Sequence, residues 1–190
     1  DVRILAIGAR SQNGLGTINP SGKITVTQRS SGNVKLSELA GTKPPHILMY
    51  GEVGCGKTAL ALTLGARAQV ADIDDGLKTG LTLDDALKPE RLKVDVRQFK
   101  EPMPHKQATL FAQFKTYVLG VANDINAKKF PFDALIIDSF SALAEAAVAA
   151  TMYNCGRLGQ TPEIQHWGIA FSEIKNVLGV VRSMPIVVVL

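Results

Sequence analysis

The chain has 190 residues, enough for one ordinary domain with a real core, and its 46% hydrophobic content is that of a globular protein. No apolar run nears the roughly 20 residues of a membrane span, and no basic, apolar leader opens the sequence, so a soluble protein without a membrane partner is expected. With 21 Lys and Arg against 17 Asp and Glu, the net charge of +4 is compatible with nucleic acid without demanding it. Of the two cysteines, Cys55 and Cys155, the first stands in a glycine-rich motif that a disulfide would disturb, which points to a reducing cytosol. The chain begins at Asp1 and stops at Leu190 inside a Val/Ile/Leu run, so a piece of a longer protein is expected, incomplete at its carboxyl end.

Residues 1–43 read as a small β-rich extension. Val2–Ile7 and Lys23–Thr27 have strand composition and are separated by a Gly/Asn/Ser/Pro-rich stretch, which suggests a small hairpin; Val34–Leu39 suits one helix turn. The extension either decorates the core or docks on a neighbouring subunit. Gly41-Thr42-Lys43-Pro44-Pro45 is a stiff linker, so the core is expected over 44–190.

The core opens with an apolar strand, Ile47–Tyr50, then Gly51-Glu52-Val53-Gly54-Cys55-Gly56-Lys57-Thr58, then the helix-forming run that starts at Ala59. This is a phosphate-binding loop by spacing and context, and a chance match to its fixed positions is roughly a 1% event in a chain of this length. Gly51, Gly54 and Gly56 let the backbone curl so that successive N–H groups point inward, and the following helix adds the positive end of its dipole. Lys57 would reach the β- and γ-phosphates, and the Thr58 hydroxyl would take one position on Mg²⁺. A glycine-rich turn that binds nothing is the bland alternative, and the flanking strand and helix argue against it.

Gln69–Gly76 reads as a short strand ending in Asp72, Asp74 and Asp75, a good place for a catalytic acid at the carboxyl edge of a parallel sheet. Leu81–Leu87 suits a short helix with Thr82 as N-cap, ended by Pro89. Arg91–Arg97 alternates with period two, as a half-exposed strand with one solvated basic face does. From Gln107 to Ala127, Phe111, Phe114, Val118, Val121 and Ile125 recur at helical spacing and are read as core, not as a nucleic-acid stacking platform.

Phe132–Ser139 is an apolar strand ending in an aspartate, a Walker B pattern in which Asp138 would emerge beside Thr58 and hold the Mg²⁺ shell. Ser139–Met152 is Ala-rich and helical. Met152–Gln165, with Tyr153, Asn154 and Arg157, is expected to be a flexible loop, followed by a helix over Glu163–Arg182 with Phe171, Ile174, Leu178 and Val181 in one stripe. Pro185 then starts a last strand, Ile186–Leu190. His46, His105 and His166 have no metal-ligand spacing with the cysteines, so no zinc site is expected.

In this order, Gly51–Thr58, Asp72-Ile73-Asp74-Asp75-Gly76 and Leu135–Leu143 resemble the motifs of RecA-like ATPases. More narrowly, they are similar to those of phage-encoded AAA/RecA-like ATP-binding proteins of recombination and single-strand annealing. His166-Trp167-Gly168 resembles a Trp-Gly pair of those proteins, and the likeness covers roughly Pro45–Leu190.

The resemblance implies an α/β RecA-like P-loop core with a mostly parallel sheet flanked by helices. It implies ATP and Mg²⁺ as cofactors, residues 51–59 including Ala59 around the nucleotide, and Lys57, Asp74 and Asp138 as catalytic residues. It also implies single-stranded DNA at the loop carrying Tyr153 and Arg157, a homo-oligomeric ring or filament, a single-strand binding protein as partner, and the cytoplasm of a bacterial or phage-infected cell.

One departure stands out. The family uses Glu to activate water, whereas aligning on Gly76-Leu77-Lys78 places the shorter Asp74 there, which favours slow hydrolysis or ATP as a binding switch. A helicase or helicase loader, and a nucleotide-binding assembly module without turnover, are the alternative readings.

Overall fold

A computed structural model of the chain describes residues 3–7, 17–18, 24–25, 44–52, 54–63, 67–77, 94–103 and 106–190. The expected helices over 34–39 and 81–87 lie outside them. The described strands are β1 (Arg3–Ile7), β2 (Thr17–Ile18), β3 (Ile24–Thr25), β4 (His46–Tyr50), β5 (Ala68–Asp72), β6 (Val94–Gln98), β7 (Ala134–Asp138) and β8 (Val187–Val189). The helices are α1 (Lys57–Thr63), α2 (Leu110–Asn126), α3 (Phe140–Asn154) and α4 (Ile164–Ser183).

Five strands run parallel in the order β4-β8-β7-β5-β6, with helices against both faces, and β1 joins antiparallel beside β4. This is the α/β architecture expected from the sequence. The amino-terminal strand differs from expectation: Arg3–Ile7 pairs with all five residues of β4, not with the Lys23–Thr27 segment. That segment contributes only Ile24–Thr25, which pairs with Thr17–Ile18 in a separate ribbon. Closing the short loop from Ile18 to Ile24 costs less entropy than a long one, while β4 offers the apolar β1 a partner along its whole length.

The continuous apolar strands are explained by burial on both sides. Along β7, Leu135 and Ile137 face a core shared with α2, α3 and α4, while Ala134 and Ile136 face a second core containing Ala61 and Leu62 of α1. Val188 and Val189 of β8 divide in the same way, as do Ala71 and Val70 of β5. Such strands favour apolar residues along their length; the one polar residue inside β5, Gln69, is paired with Tyr117 and Asp95. By contrast β6, at the edge of the sheet, is exposed from Asp95 to Gln98, Val96 included, so the half-buried face that its alternating sequence suggested is not formed. Its Arg97 is not simply solvated, because the guanidinium lies over the Phe99 and Tyr117 rings at 5.9 and 5.6 Å.

Helix boundaries follow local chemistry. The Glu101 carboxylate accepts from the backbone N–H of Thr109 and of Leu110 and so caps α2 from outside. Ser139 Oγ accepts from Ala142 N at 3.3 Å at the start of α3. At the start of α4 the Glu163 N–H donates to His166 Nδ1 at 3.0 Å, so a buried histidine closes a capping box.

On α2, Phe111, Phe114, Val118 and Val121 are buried and Ile125 packs against them, as core rather than as a stacking surface. On α4 the expected stripe is rotated. His166, Ala170, Ile174, Val177 and Val181 are buried, Leu178 only partly, and Phe171 is 58% exposed. Phe171 lies one residue, about 100°, round the helix from Ala170. Ala170 is buried and Phe171 is turned outward.

Truncating Leu135, fully buried in the middle of β7, is expected to cost about 2–5 kcal/mol. Urea unfolding of Leu135→Ala against the wild type, read by circular dichroism, measures it.

Candidate functional site

Parallel strands end on one side of a sheet, so the carboxyl ends of β4, β5, β6 and β7 share an edge. The chain leaving β4 continues into α1 against one face, and the chain leaving β7 continues into α3 against the other. The two connections therefore leave the carboxyl edge on opposite faces of the sheet, the kind of switch point beside which ligands of open α/β sheets sit.

From β4, the loop reaches α1 through two left-handed glycines, Gly54 at φ 79° and Gly56 at φ 89°. A Cβ at either would meet nothing within 4 Å, so glycine is required by backbone conformation and not by space. Lys57 folds back over the loop, its Nζ donating to Gly51 O and to Glu52 O at 2.8 Å each, with Cys55 Sγ 3.6 Å away. Val53 lies outside the described residues, and Ala59 is in the first turn of α1.

Thr58, one residue into α1, donates its hydroxyl to Asp138 Oδ2 at 2.7 Å. This bond joins the loop to the end of β7 across 80 residues of sequence. The two side chains that sequence spacing singles out as a pair are in contact. Burial pushes the Asp138 carboxyl above the usual carboxylate range; the Thr58 hydroxyl opposes this, Asp74 and Asp72 add to it, and Lys57 pulls against it. The Asp138–Ser139 peptide bond is cis.

Register brings the acids of β5 to the same place, because Asp72 is the direct strand partner of Asp138, and Ile73 N donates to Asp138 O at 2.7 Å. Asp74 then turns back on itself, its Oδ1 accepting from Gly76 N at 3.0 Å. Asp75 adopts φ 63°, which aspartate tolerates better than most residues, and its carboxylate meets Gln98 Nε2 at 3.0 Å and Lys100 Nζ at 3.5 Å. Of the two candidate acids, Asp74 repels the Asp138 carboxylate and so adds to the rise in its carboxyl, and the Asp75 carboxylate is held toward β6 by Gln98 and Lys100.

Asp72 is 1% exposed, with Oδ2 accepting from Gln98 Nε2 at 3.3 Å and Oδ1 without a partner. Burial raises its carboxyl above the usual range; the Gln98 amide opposes this, Asp74 and Asp75 add to it, and the Gly76 backbone N–H opposes it more weakly. Beside these acids lies a cleft of about 340 Å³ lined by Asp74, Asp75, Gln98, Phe99, Lys100 and Glu101 among others. Among the described residues, no group of three or more His, Cys, Asp or Glu side chains is arranged to hold a metal by itself.

Of two further residues of this edge, Gly76 stands in a motif that does not show its role, and Gln98 stands in none. A Cβ on Gly76 would stand 2.7 Å from Asp74 Oδ1 and 4.0 Å from Asp138 Oδ2, so a side chain there would displace Asp74; the Asp-Asp-Gly triplet is the only signal in sequence. Gln98 carries no local signal, and only the pairing of β6 with β5 brings it to Asp72.

The sequence-predicted DNA residues lie apart from this edge, on the far end of α3 and the loop after it. Tyr153 belongs to the last turn of α3 and is 44% exposed. Arg157 braces the 155–163 loop, donating to Gln160 Oε1 at 2.9 Å and Glu163 Oε1 at 2.6 Å. With Gly156 and Gly159 at positive φ and Met152 buried, the segment is a built turn where the sequence suggested a flexible loop from Met152 to Gln165.

Among the described residues no helix is long and apolar enough to cross a membrane. No protein-family model matches the chain, and no curated protein matches it. Replacing Gly56 by Ala is expected to cost about 1–2 kcal/mol through the left-handed backbone alone; the shift in melting midpoint against wild type reads it.

Proposed function

We propose that this chain is a Mg²⁺-dependent ATPase of the RecA-like P-loop type that works on single-stranded DNA in phage-type recombination or annealing. The observation that carries the ATPase reading is the Thr58–Asp138 hydrogen bond at 2.7 Å beside a glycine loop whose lysine reaches its own carbonyls. A hydroxyl and a carboxylate held together at the mouth of an anion-binding loop are hard oxygen donors of the kind Mg²⁺ takes alongside phosphate oxygens. The raised Asp138 carboxyl fits a position where a cation's charge is wanted. Thr58 and Asp138 would hold the ion, which would neutralise charge on the phosphates.

In this reading the Lys57 ammonium exchanges the Gly51 and Glu52 carbonyls for β- and γ-phosphate oxygens, to which its bonds are charge-assisted. The 51–59 amides hold the phosphates. Asp74 orients water and takes its proton as the water oxygen bonds to the γ-phosphorus and the bond to the β–γ bridging oxygen breaks. Positioning and charge stabilisation supply nearly all of the rate in such chemistry. Asp74 is one methylene shorter than the glutamate of the proteins this sequence resembles, which favours slow turnover.

Lys57→Ala is expected to lose ATP binding, read by a fluorescent ATP analogue, and Asp74→Asn to keep binding while turnover falls by about 10²-fold or more. Unchanged turnover in Lys57→Ala sinks the assignment. If Asp75→Asn alone abolishes turnover, the wrong acid has been chosen.

The DNA reading is favoured by one further observation. Trp167 and Phe171, three and seven residues into α4 from Ile164, are 54% and 58% exposed, and Lys175 Nζ lies 4.6 Å from the Phe171 ring centre. Exposed aromatics with a cation over one ring suit bases that stack and phosphates that need neutralising. Arg157, held by Glu163, is a weaker candidate than the sequence suggests. Trp167→Ala with Phe171→Ala is expected to weaken single-stranded DNA binding by about tenfold or more, measured by anisotropy with ATP present. Wild-type affinity in that variant removes α4 from the DNA path.

A further inference from the structure

We propose that Gln98 is a positioning residue for ATP turnover, holding two of the four clustered carboxylates so that Asp74 alone serves the water. The inference rests on the ATPase reading of this edge and adds to it a residue from a strand that carries none of the sequence motifs.

The cluster poses an electrostatic problem. Asp72, Asp74, Asp75 and Asp138 converge on one edge, and Asp72 is buried, with repulsion from Asp74 and Asp75 added to its desolvation. Four mutually repelling carboxylates would spread toward solvent unless donors held them. Gln98 is the donor placed for this. It ends β6 as the direct strand partner of Asp72, and its single amide nitrogen donates to Asp72 Oδ2 at 3.3 Å and Asp75 Oδ1 at 3.0 Å.

An amide nitrogen carries two hydrogens, so one side chain serves both acids. Among the described residues it is the side-chain hydrogen-bond partner of Asp72, whose other oxygen has none. Lys100 secures Asp75 from the same segment. Asp74 accepts from the Gly76 N–H, and a Cβ on Gly76 would stand 2.7 Å from Asp74 Oδ1 and 4.0 Å from Asp138 Oδ2, so these two carboxylates border the same glycine.

The same few residues tie the cluster to α2. Three positions after Gln98, Glu101 caps the N-terminus of that helix through Thr109 and Leu110. The anchor for Gln98 is thus a rigid element and not a free strand end, as a positioning residue requires.

Two variants remove the donor in different ways. Gln98→Ala deletes the side chain, and Gln98→Glu keeps its length while offering only acceptor oxygens at neutral pH. Both are expected to lower kcat by about ten- to a hundredfold, the scale of a small misplacement of the base. The Kd for ATP with Mg²⁺ is expected to stay within about twofold, because Lys57, Thr58 and Asp138 are untouched.

A merely structural role would lower binding and melting temperature together with turnover. Wild-type kcat in either variant, or a loss of ATP binding equal to the loss of kcat, overturns the proposal. A wild-type chain that binds ATP without hydrolysing it also overturns it. A wild-type chain that binds no ATP overturns instead the reading on which the proposal rests.

Discussion

Burial of the central strands on both faces is the constraint on which the rest of the structure depends. β5, β7 and β8 each send alternate residues into two separate cores. A slip of one residue would exchange the two faces of a strand between cores of different shape. The register of these strands is therefore held firmly, and it sets Asp72 opposite Asp138; β6, at the exposed edge, pairs in turn with β5 and brings Gln98 opposite Asp72. The polar residues lie where the sheet runs out of apolar partners, and they lie there together because parallel strands end together.

That concentration has an electrostatic consequence. Placing several carboxylates at one partly buried edge raises two of them above the ordinary range, chiefly by desolvation. The fold opposes this with neutral donors, Thr58 on Asp138 and Gln98 on Asp72, and with cations at the margins, Lys57 and Lys100. Such an edge is costly to maintain for stability alone, and groups with perturbed protonation that line a crevice are a common mark of a working site. The glycine loop next to it has the same character, since its two left-handed glycines hold a conformation that other residues adopt at a cost.

The surface of α4 carries a separate lesson. Its apolar residues are too many for one face, so packing against the rest of the core has to choose among them. The face through Ala170, Ile174 and Val177 is buried, and Ile164, Trp167 and Phe171 are left in solvent. A run of large apolar side chains at helical spacing on the outside is a feature that isolated exposed residues do not share.

The sequence by itself determined the alternation of strands and helices, the glycine loop, the pairing of Thr58 with Asp138 and the buried stripe of α2, because each is written in local spacing and composition. Phe111 and Phe114 had to be core at their period, and an apolar strand ending in Asp138 had to be covered on both faces. Only the tertiary structure decided that Gln98 and Lys100 hold Asp75, which stripe of α4 is covered, and where β1 pairs. Asp74 and Asp75 are adjacent and chemically alike, and what separates them is Gln98, delivered by strand pairing from 23 residues beyond Asp75. Phe171 is as apolar as Ile174, and it is exposed because the face through Ala170 and Ile174 is the one that packs. The physical reason is the same in each case: spacing fixes what a residue can do within its own element, while the neighbour it meets is set by packing between elements.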